Sequence, residues 1–142
     1  MPEILIASDA ATVRADVKGS LDDPATVVRE LTRGAEVLPA VVHHQPDLVV
    51  LDLQIGKMGG MAVCLDLRLE EGAGRLGHVP VLMLLDRRAD VFLARQSTAD
   101  GWVLKPVDPI RLTRAIRALL GGGRFEDESL RPVTVPVPPR EG

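Results

Sequence analysis

Short apolar runs alternate with amphipathic segments along most of the chain. Several of these runs lack polar alternation, as strands do when both faces of a sheet are covered. Five runs predict strands, at residues 4–7, 27–28, 48–51, 81–85 and 102–104. The segments between and after them predict helices, at residues 10–20, 35–44, 59–70, 88–96 and 109–120. This alternation of strand and helix predicts an α/β protein in which five βα units form a parallel sheet.

Two of the predicted helices carry clear boundary signals. In the last helix, Asp108 is placed as the N-cap, Pro109 occupies the first helical position, and the glycines at 121–123 follow the end. The second helix contains Pro39, which has no backbone N–H to donate and clashes with the preceding turn. We therefore expect the second helix to be kinked or to begin late.

Residues 121–142 differ in character from the rest of the chain. Three glycines are followed by a charged stretch and then by a valine-rich and proline-rich end. We expect residues 1–120 to form one domain and residues 121–142 to form a tail. Because its four prolines cannot donate backbone hydrogen bonds, the tail is at most an edge strand, a polyproline stretch or a disordered end. Alternatively, Val133, Val135 and Val137 lay one apolar face on the domain or on a partner.

Composition narrows the classes of function. The chain has 142 residues, the size of one domain, and its formal net charge of −3 with 2% aromatic residues argues against nucleic-acid binding. The apolar runs are too short to span a membrane, and the first residues, MPEILIASD, do not resemble a signal peptide. One cysteine, Cys64, forms no internal disulfide, so we expect a cytoplasmic protein.

Polar residues stand where the predicted strands end. These are Ser8 and Asp9 after the first strand, Asp52 after the third, Asp86 after the fourth and Lys105 after the fifth. Open α/β sheets bind ligands at the carboxyl ends of their strands, so these groups are expected to converge. Two carboxylates, a backbone carbonyl and waters suit Mg²⁺, and the lysine would then face an anion. A solvated rim with ordinary salt bridges is the alternative.

Four segments carry a resemblance to a known family. They are PDLVVLDL at 46–53, MGGM at 58–61, VPVLML at 79–84 and ADGWVLKP at 99–106. In this order and at nearly this spacing, they resemble the receiver domain of two-component response regulators, over residues 3–120. The resemblance implies a flavodoxin-like, doubly wound (βα)5 fold with a five-stranded parallel sheet in the order 2-1-3-4-5.

The resemblance also implies a role for particular residues. Asp52 matches the phosphoacceptor, which attacks a phosphohistidine or a small phosphodonor. Asp9, Asp52 and the backbone carbonyl of Gln54 match the Mg²⁺ ligands. Lys105 matches the lysine that contacts the phosphoryl group, and Trp102 falls on the aromatic switch position.

The sequence departs from the family at the metal side of this site. The family usually has two acidic residues at the end of the first strand, and here the first of them is Ser8. One unit of negative charge is lost, so we expect Mg²⁺ to bind weakly. Gly56 stands where a proline is usual, which predicts a looser loop after Asp52.

A second departure lies at the switch. The hydroxyl residue that ends the fourth strand in the family is Leu85 here, and it has no group to hydrogen-bond a phosphoryl oxygen. We therefore expect weak coupling between phosphorylation and the position of Trp102. The next residue, Asp86, either repels a phosphate or pairs with a cation such as Lys105.

Two functions follow from the sequence. One is a stand-alone receiver in phosphorelay signal transduction, phosphorylated on Asp52 by a histidine kinase with Mg²⁺ and acting on an effector protein by direct contact. The other is a pseudo-receiver, an interaction module that works without phosphorylation. At most, the chain catalyses its own phosphorylation and dephosphorylation. The kinase, the effector and any homodimer through the last two βα units stay open.

Overall fold

The computed structural model describes residues 2–21, 23–56 and 59–127. The predictions for residues 128–142, including those for Val133, Val135 and Val137, lie outside the described residues. The strands are β1 (Glu3–Ala7), β2 (Val27–Leu31), β3 (Leu48–Asp52), β4 (Val81–Leu85), β5 (Gly101–Leu104) and β6 (Phe125–Glu126). The helices are α1 (Ala11–Ser20), α2 (Val37–His44), α3 (Gly60–Gly72), α4 (Val91–Gln96) and α5 (Pro109–Leu120).

The sheet is parallel throughout, in the order β2-β1-β3-β4-β5-β6. The predicted parallel α/β architecture and the order of the first five strands are confirmed. The predicted number of five strands is wrong for the described residues, because β6 pairs with the outer edge of β5. A Cβ on Gly101 would lie 2.7 Å from the carbonyl oxygen of Phe125, so β6 approaches β5 where a side chain is absent.

Helices cover both faces of the sheet. The buried residues of α2, α3 and α4 pack with one face, and those of α1 and α5 pack with the other. Every residue of β3 and β4 is consequently buried, which explains why these strands have continuous apolar sequences. Among the described residues, no helix combines the length and the apolar character needed to cross a membrane.

The two boundary predictions are confirmed. The segment around Pro39 starts with a 3-10 turn at Gly34–Glu36, and α2 begins only at Val37. Pro39 therefore lies in the first turn of the helix, where backbone N–H groups have no partner within the helix. At α5, the Asp108 carboxylate accepts a hydrogen bond from the backbone N–H of Ile110 at 3.0 Å, as an N-cap does.

Candidate functional site

Asp52 is the last residue of β3, and its neighbours in the sheet surround its carboxylate. The side chain is only 2% exposed. The Ser8 hydroxyl, after β1, donates to Oδ2 at 2.7 Å, and the Lys105 ammonium, after β5, donates to Oδ1 at 2.7 Å. The backbone N–H of Gln54 donates to Oδ1 at 3.0 Å. Both oxygens of this buried carboxylate therefore have hydrogen-bond donors, as a buried charge requires.

The Lys105 ammonium lies between two carboxylates. It contacts Asp52 and also Asp86 Oδ1, at 3.1 Å. Burial of the ammonium lowers the pKa of Lys105, but its hydrogen bonds to Asp52 and Asp86 outweigh that effect and raise the pKa above its usual value. The backbone of Lys105 is held by a 2.7 Å hydrogen bond to the carbonyl of Leu85, and its peptide bond to Pro106 is cis. Asp86 is thus paired with the lysine.

The groups predicted to hold Mg²⁺ are Asp52 itself, Asp9 after β1 and the backbone carbonyl of Gln54. Asp9 is exposed, and its Oδ2 accepts a hydrogen bond from the backbone N–H of Gly56 at 3.1 Å. Among residues 2–21, 23–56 and 59–127, no three His, Cys, Asp or Glu side chains form a metal-binding group. Asp9, Asp52 and the Gln54 carbonyl supply hard oxygens of the kind that Mg²⁺ prefers. The donor set fits the ion in kind, although the Ser8 hydroxyl already bonds one Asp52 oxygen.

The two residues predicted to form the switch, Leu85 and Trp102, lie inside the protein. Leu85 is 0% exposed and Trp102 is 1% exposed, and both belong to the same apolar cluster. The Arg95 guanidinium lies 5.6 Å from the centre of the Trp102 ring, within the range of a cation–π contact. The indole is therefore buried in the same apolar cluster as Leu85, which offers no hydroxyl.

The structure thus joins four of the predicted residues by direct contact, namely Ser8, Asp52, Asp86 and Lys105. Two contributors were missed by sequence reasoning. Arg14 donates to the Ser8 carbonyl at 2.8 Å, which no local pattern signals. A Cβ on Gly60 would lie 2.7 Å from the Asp52 carbonyl oxygen, so only glycine lets α3 start this close to the site. The repeated glycine of the MGGM segment was the available signal.

Comparison with known proteins gives consistent matches. The chain is 39% identical over 112 residues to the DNA-binding response regulator MtrA of Mycolicibacterium smegmatis, covering 74% of this chain and 46% of the relative. It is 35% identical over 122 residues to the DNA-binding dual master transcriptional regulator RpaA of Synechocystis sp., covering 84% and 49% respectively. The chain spans about half the length of the curated relatives it matches.

Solved structures match as well. A two-component response regulator of the LuxR family from Aurantimonas sp. SI85-9A1 superposes with a TM-score of 0.78 and 26% identity, covering 90% of this chain and 91% of that one. The chemotaxis response regulator CheY4 of Vibrio cholerae superposes with a TM-score of 0.73 and 22% identity, and the match covers 84% of this chain and 98% of that one. At this identity, the match supports the fold alone. The family model for the response regulator receiver domain matches residues 4–117. The chain therefore belongs to the receiver domain family of two-component response regulators.

Proposed function

We propose that this receiver domain accepts a phosphoryl group on Asp52 in a two-component phosphorelay. The observation that supports this role best is the 2.7 Å contact between the Lys105 ammonium and Asp52 Oδ1 at the carboxyl ends of the strands. A carboxylate with a cation beside it, at the edge where α/β sheets bind ligands, is suited to attack a phosphorus atom. We place the receiver domain at residues 1–120, and β6, in the segment that follows, pairs with β5.

The proposed reaction is an in-line displacement. An Asp52 carboxylate oxygen forms an O–P bond while the P–N bond of a phosphohistidine breaks, and the leaving imidazole keeps the electron pair and takes a proton. Lys105 offsets the charge of the phosphoryl oxygens, and the Ser8 hydroxyl donates a hydrogen bond at the same edge. Asp9, Asp52 and the Gln54 carbonyl would hold Mg²⁺, which supplies further positive charge to these oxygens when it is bound. The only catalysis proposed is the chain's own phosphorylation and dephosphorylation.

The proposed partners are a histidine kinase and an effector protein. The effector contacts the surface that β4, β5 and α5 form next to the acceptor. The named relatives are DNA-binding regulators, but this chain covers about half of their length. Its net charge of −3 does not favour contact with nucleic acid, so protein contact is the proposed output.

A second candidate function is a pseudo-receiver that binds partners without phosphorylation. Two contacts favour it. The Ser8 hydroxyl already bonds one of the two Asp52 oxygens, and Trp102 is already buried in the cluster that contains Leu85. In this function the unmodified surface is the one that the partner recognises.

Intact-mass analysis with a small acyl phosphodonor and Mg²⁺ separates the two functions. We expect one phosphoryl adduct in the wild-type chain and none in Asp52→Ala. Asp66→Ala is the matched control, because it removes an aspartate on α3, away from the acceptor, and should keep the adduct. An adduct that persists in Asp52→Ala would show that the acceptor is a different residue. No adduct in the wild type would favour the pseudo-receiver.

The substitution Leu85→Thr tests the switch within the same assay. It places a hydroxyl at the end of β4, so phosphorylation should change the fluorescence of Trp102 more than in the wild type. Trp102 is the only tryptophan in the chain, so its signal is unambiguous. An equal change in both proteins would contradict a switch weakened by Leu85.

A further inference from the structure

A buried carboxylate outside the acceptor site bonds the end of β5. Asp127 directly follows β6 and is 0% exposed. Its Oδ2 accepts a hydrogen bond from the backbone N–H of Leu104 at 3.0 Å and lies 3.4 Å from the guanidinium of Arg111 on α5. A carboxylate is costly to bury, so its position depends on these donors.

The Leu104 bond completes a pair of restraints on β5. On one side of the strand, the Lys105 N–H bonds the carbonyl of Leu85 on β4 at 2.7 Å. On the other side, the Leu104 N–H bonds Asp127. The main chain is therefore held from both sides at Leu104 and Lys105, and the ammonium of Lys105 contacts Asp52. The four-carbon side chain has to reach Asp52 from this backbone, so a displacement of the backbone at Lys105 reduces the time that the ammonium spends on Asp52.

Asp127 reaches this position only because β6 is in place. The backbone N–H of Phe125 donates to the carbonyl of Asp100 at 3.2 Å, and Arg124 donates to the carbonyl of Ala99 at 3.2 Å. Gly101 leaves the space that the Phe125 carbonyl fills. The segment after α5 is thus fixed to β5 along its length, and Asp127 is its last described residue.

We propose that Asp127 is a positioning residue of the acceptor site, which docks the segment after α5 onto β5 and thereby holds Lys105 against Asp52. The assignment deepens the proposed function, and its functional meaning rests on Asp52 as the acceptor. The segment that contains β6 then regulates the site, because release of Asp127 frees the backbone next to the lysine.

Competitive amine labelling tests the proposal without any phosphodonor. Limited reductive methylation of the full chain, followed by peptide mass analysis, gives the reactivity of Lys105 relative to Lys18, an exposed lysine on α1. In Asp127→Ala we expect this ratio to rise about fivefold, the change in population that loss of one hydrogen bond typically produces.

Glu126→Gln is the matched control, because it removes a carboxylate one residue away that makes no contact with Leu104; its ratio should equal that of the wild type. Gly101→Ala is the second test variant. It keeps Asp127 but displaces β6, since its Cβ would lie 2.7 Å from the Phe125 carbonyl oxygen, and it should raise the ratio as well.

Cooperative urea unfolding establishes which variants fold. If Asp127→Ala does not fold, Gly101→Ala decides the matter. An unchanged reactivity ratio of Lys105 to Lys18 in a folded Asp127→Ala or Gly101→Ala variant would overturn the proposal. Since no phosphoryl group is involved, that result is independent of whether Asp52 is ever phosphorylated.

Discussion

Two polar clusters at opposite ends of the sheet have similar compositions but differ in how many hydrogen bonds join them to the main chain. The acceptor cluster, formed by Ser8, Asp52, Asp86 and Lys105, lies at the carboxyl ends of the strands. The support cluster, formed by Arg68, Glu71, His78 and Asp100, lies at the amino ends of β4 and β5. Each places one basic side chain, Lys105 or Arg68, between two carboxylates.

The support cluster is tied to the main chain throughout. Arg68 donates to Glu71 at 2.7 Å and to Asp100 at 2.6 Å, and also to the carbonyls of Val79 and Thr98. The same two carboxylates accept hydrogen bonds from the backbone N–H groups of Val79 and Val81. The planar guanidinium suits this arrangement, because its donors point in fixed directions.

The acceptor cluster has fewer such ties. Among the described residues, the Lys105 ammonium contacts the two carboxylates, and the carboxylate of Asp52 accepts one hydrogen bond from the backbone, from the N–H of Gln54. A lysine is a compact charge on a flexible stem, and it can follow a partner that changes. The difference shows that one fold can use similar ion pairs in two ways, one bonded to the main chain of two strands and one held mainly by side chains.

Removing the cation of the support cluster should have the largest effect. Arg68→Ala leaves two carboxylates, each with a side chain 14% exposed, without their guanidinium. We expect the free energy of unfolding to fall by about 3 kcal/mol, the lower range for breaking a buried pair. Urea unfolding of Arg68→Ala and of the wild type measures this loss of stability. Arg75→Ala is the control, because Arg75 pairs with Glu70 on the surface and should leave stability unchanged. Equal losses in both variants would remove the distinction between this cluster and a surface pair.

Adding a charge to the acceptor cluster should have the next largest effect. Ser8→Asp places a second carboxylate against Asp52, where the wild-type oxygens are 2.7 Å apart and joined by a hydrogen bond. Without metal, we expect a loss of about 2 kcal/mol from repulsion and from an unmet desolvation cost. Added Mg²⁺ should restore much of it, since the variant offers three carboxylates.

Ser8→Ala is the control for Ser8→Asp. It removes the same hydrogen bond without adding charge, so Mg²⁺ should have little effect on its unfolding. Equal responses to Mg²⁺ in the two variants would show that the ion does not bind at this rim.

The sequence predicted which residues meet in the acceptor cluster but missed several of the hydrogen bonds and the strand β6. The meeting of Asp52 with Lys105 was predictable, because parallel strands bring their carboxyl ends to one edge. The hydrogen bond from Ser8 to Asp52 was not, since the direction of a hydroxyl depends on its three-dimensional surroundings. The strand β6 was missed because two residues carry no periodicity, and its docking depends on the space beside Gly101. Sequence reasoning allowed an edge strand only as one of three possibilities for residues 121–142, and its alternative apolar face at Val133, Val135 and Val137 lies outside the described residues.

Removing the cation of the acceptor cluster should cost less than removing Arg68. Lys105→Met keeps much of the apolar stem and leaves Asp52 with donors from Ser8 and Gln54. We expect a loss of about 1 kcal/mol in the free energy of unfolding, close to that of one hydrogen bond. A loss as large as that of Arg68→Ala would show that both clusters hold the fold equally.

Alkaline pH should weaken the acceptor cluster alone, with the smallest effect. The pKa of Lys105 is raised by Asp52 and Asp86 against the opposing effect of burial, so its contribution to stability is complete below the unfolded value of 10.5. That contribution is lost as the pH rises through the higher folded pKa. Arg68 stays protonated throughout this range, so the support cluster should not respond.

The Cys64 thiol also makes stability depend on pH in this range, because burial raises its pKa from 9.0 to about 11. The measurement therefore needs a variant without this thiol. The unfolded thiol then loses its proton at lower pH than the folded one, and stability falls between these two values for that reason alone. In a Cys64→Ala background, urea unfolding from pH 8 to 11 should show a decline only near the top of the range. Adding Lys105→Met should abolish that decline. If it persists, another group is responsible, and alkaline pH does not distinguish the two clusters.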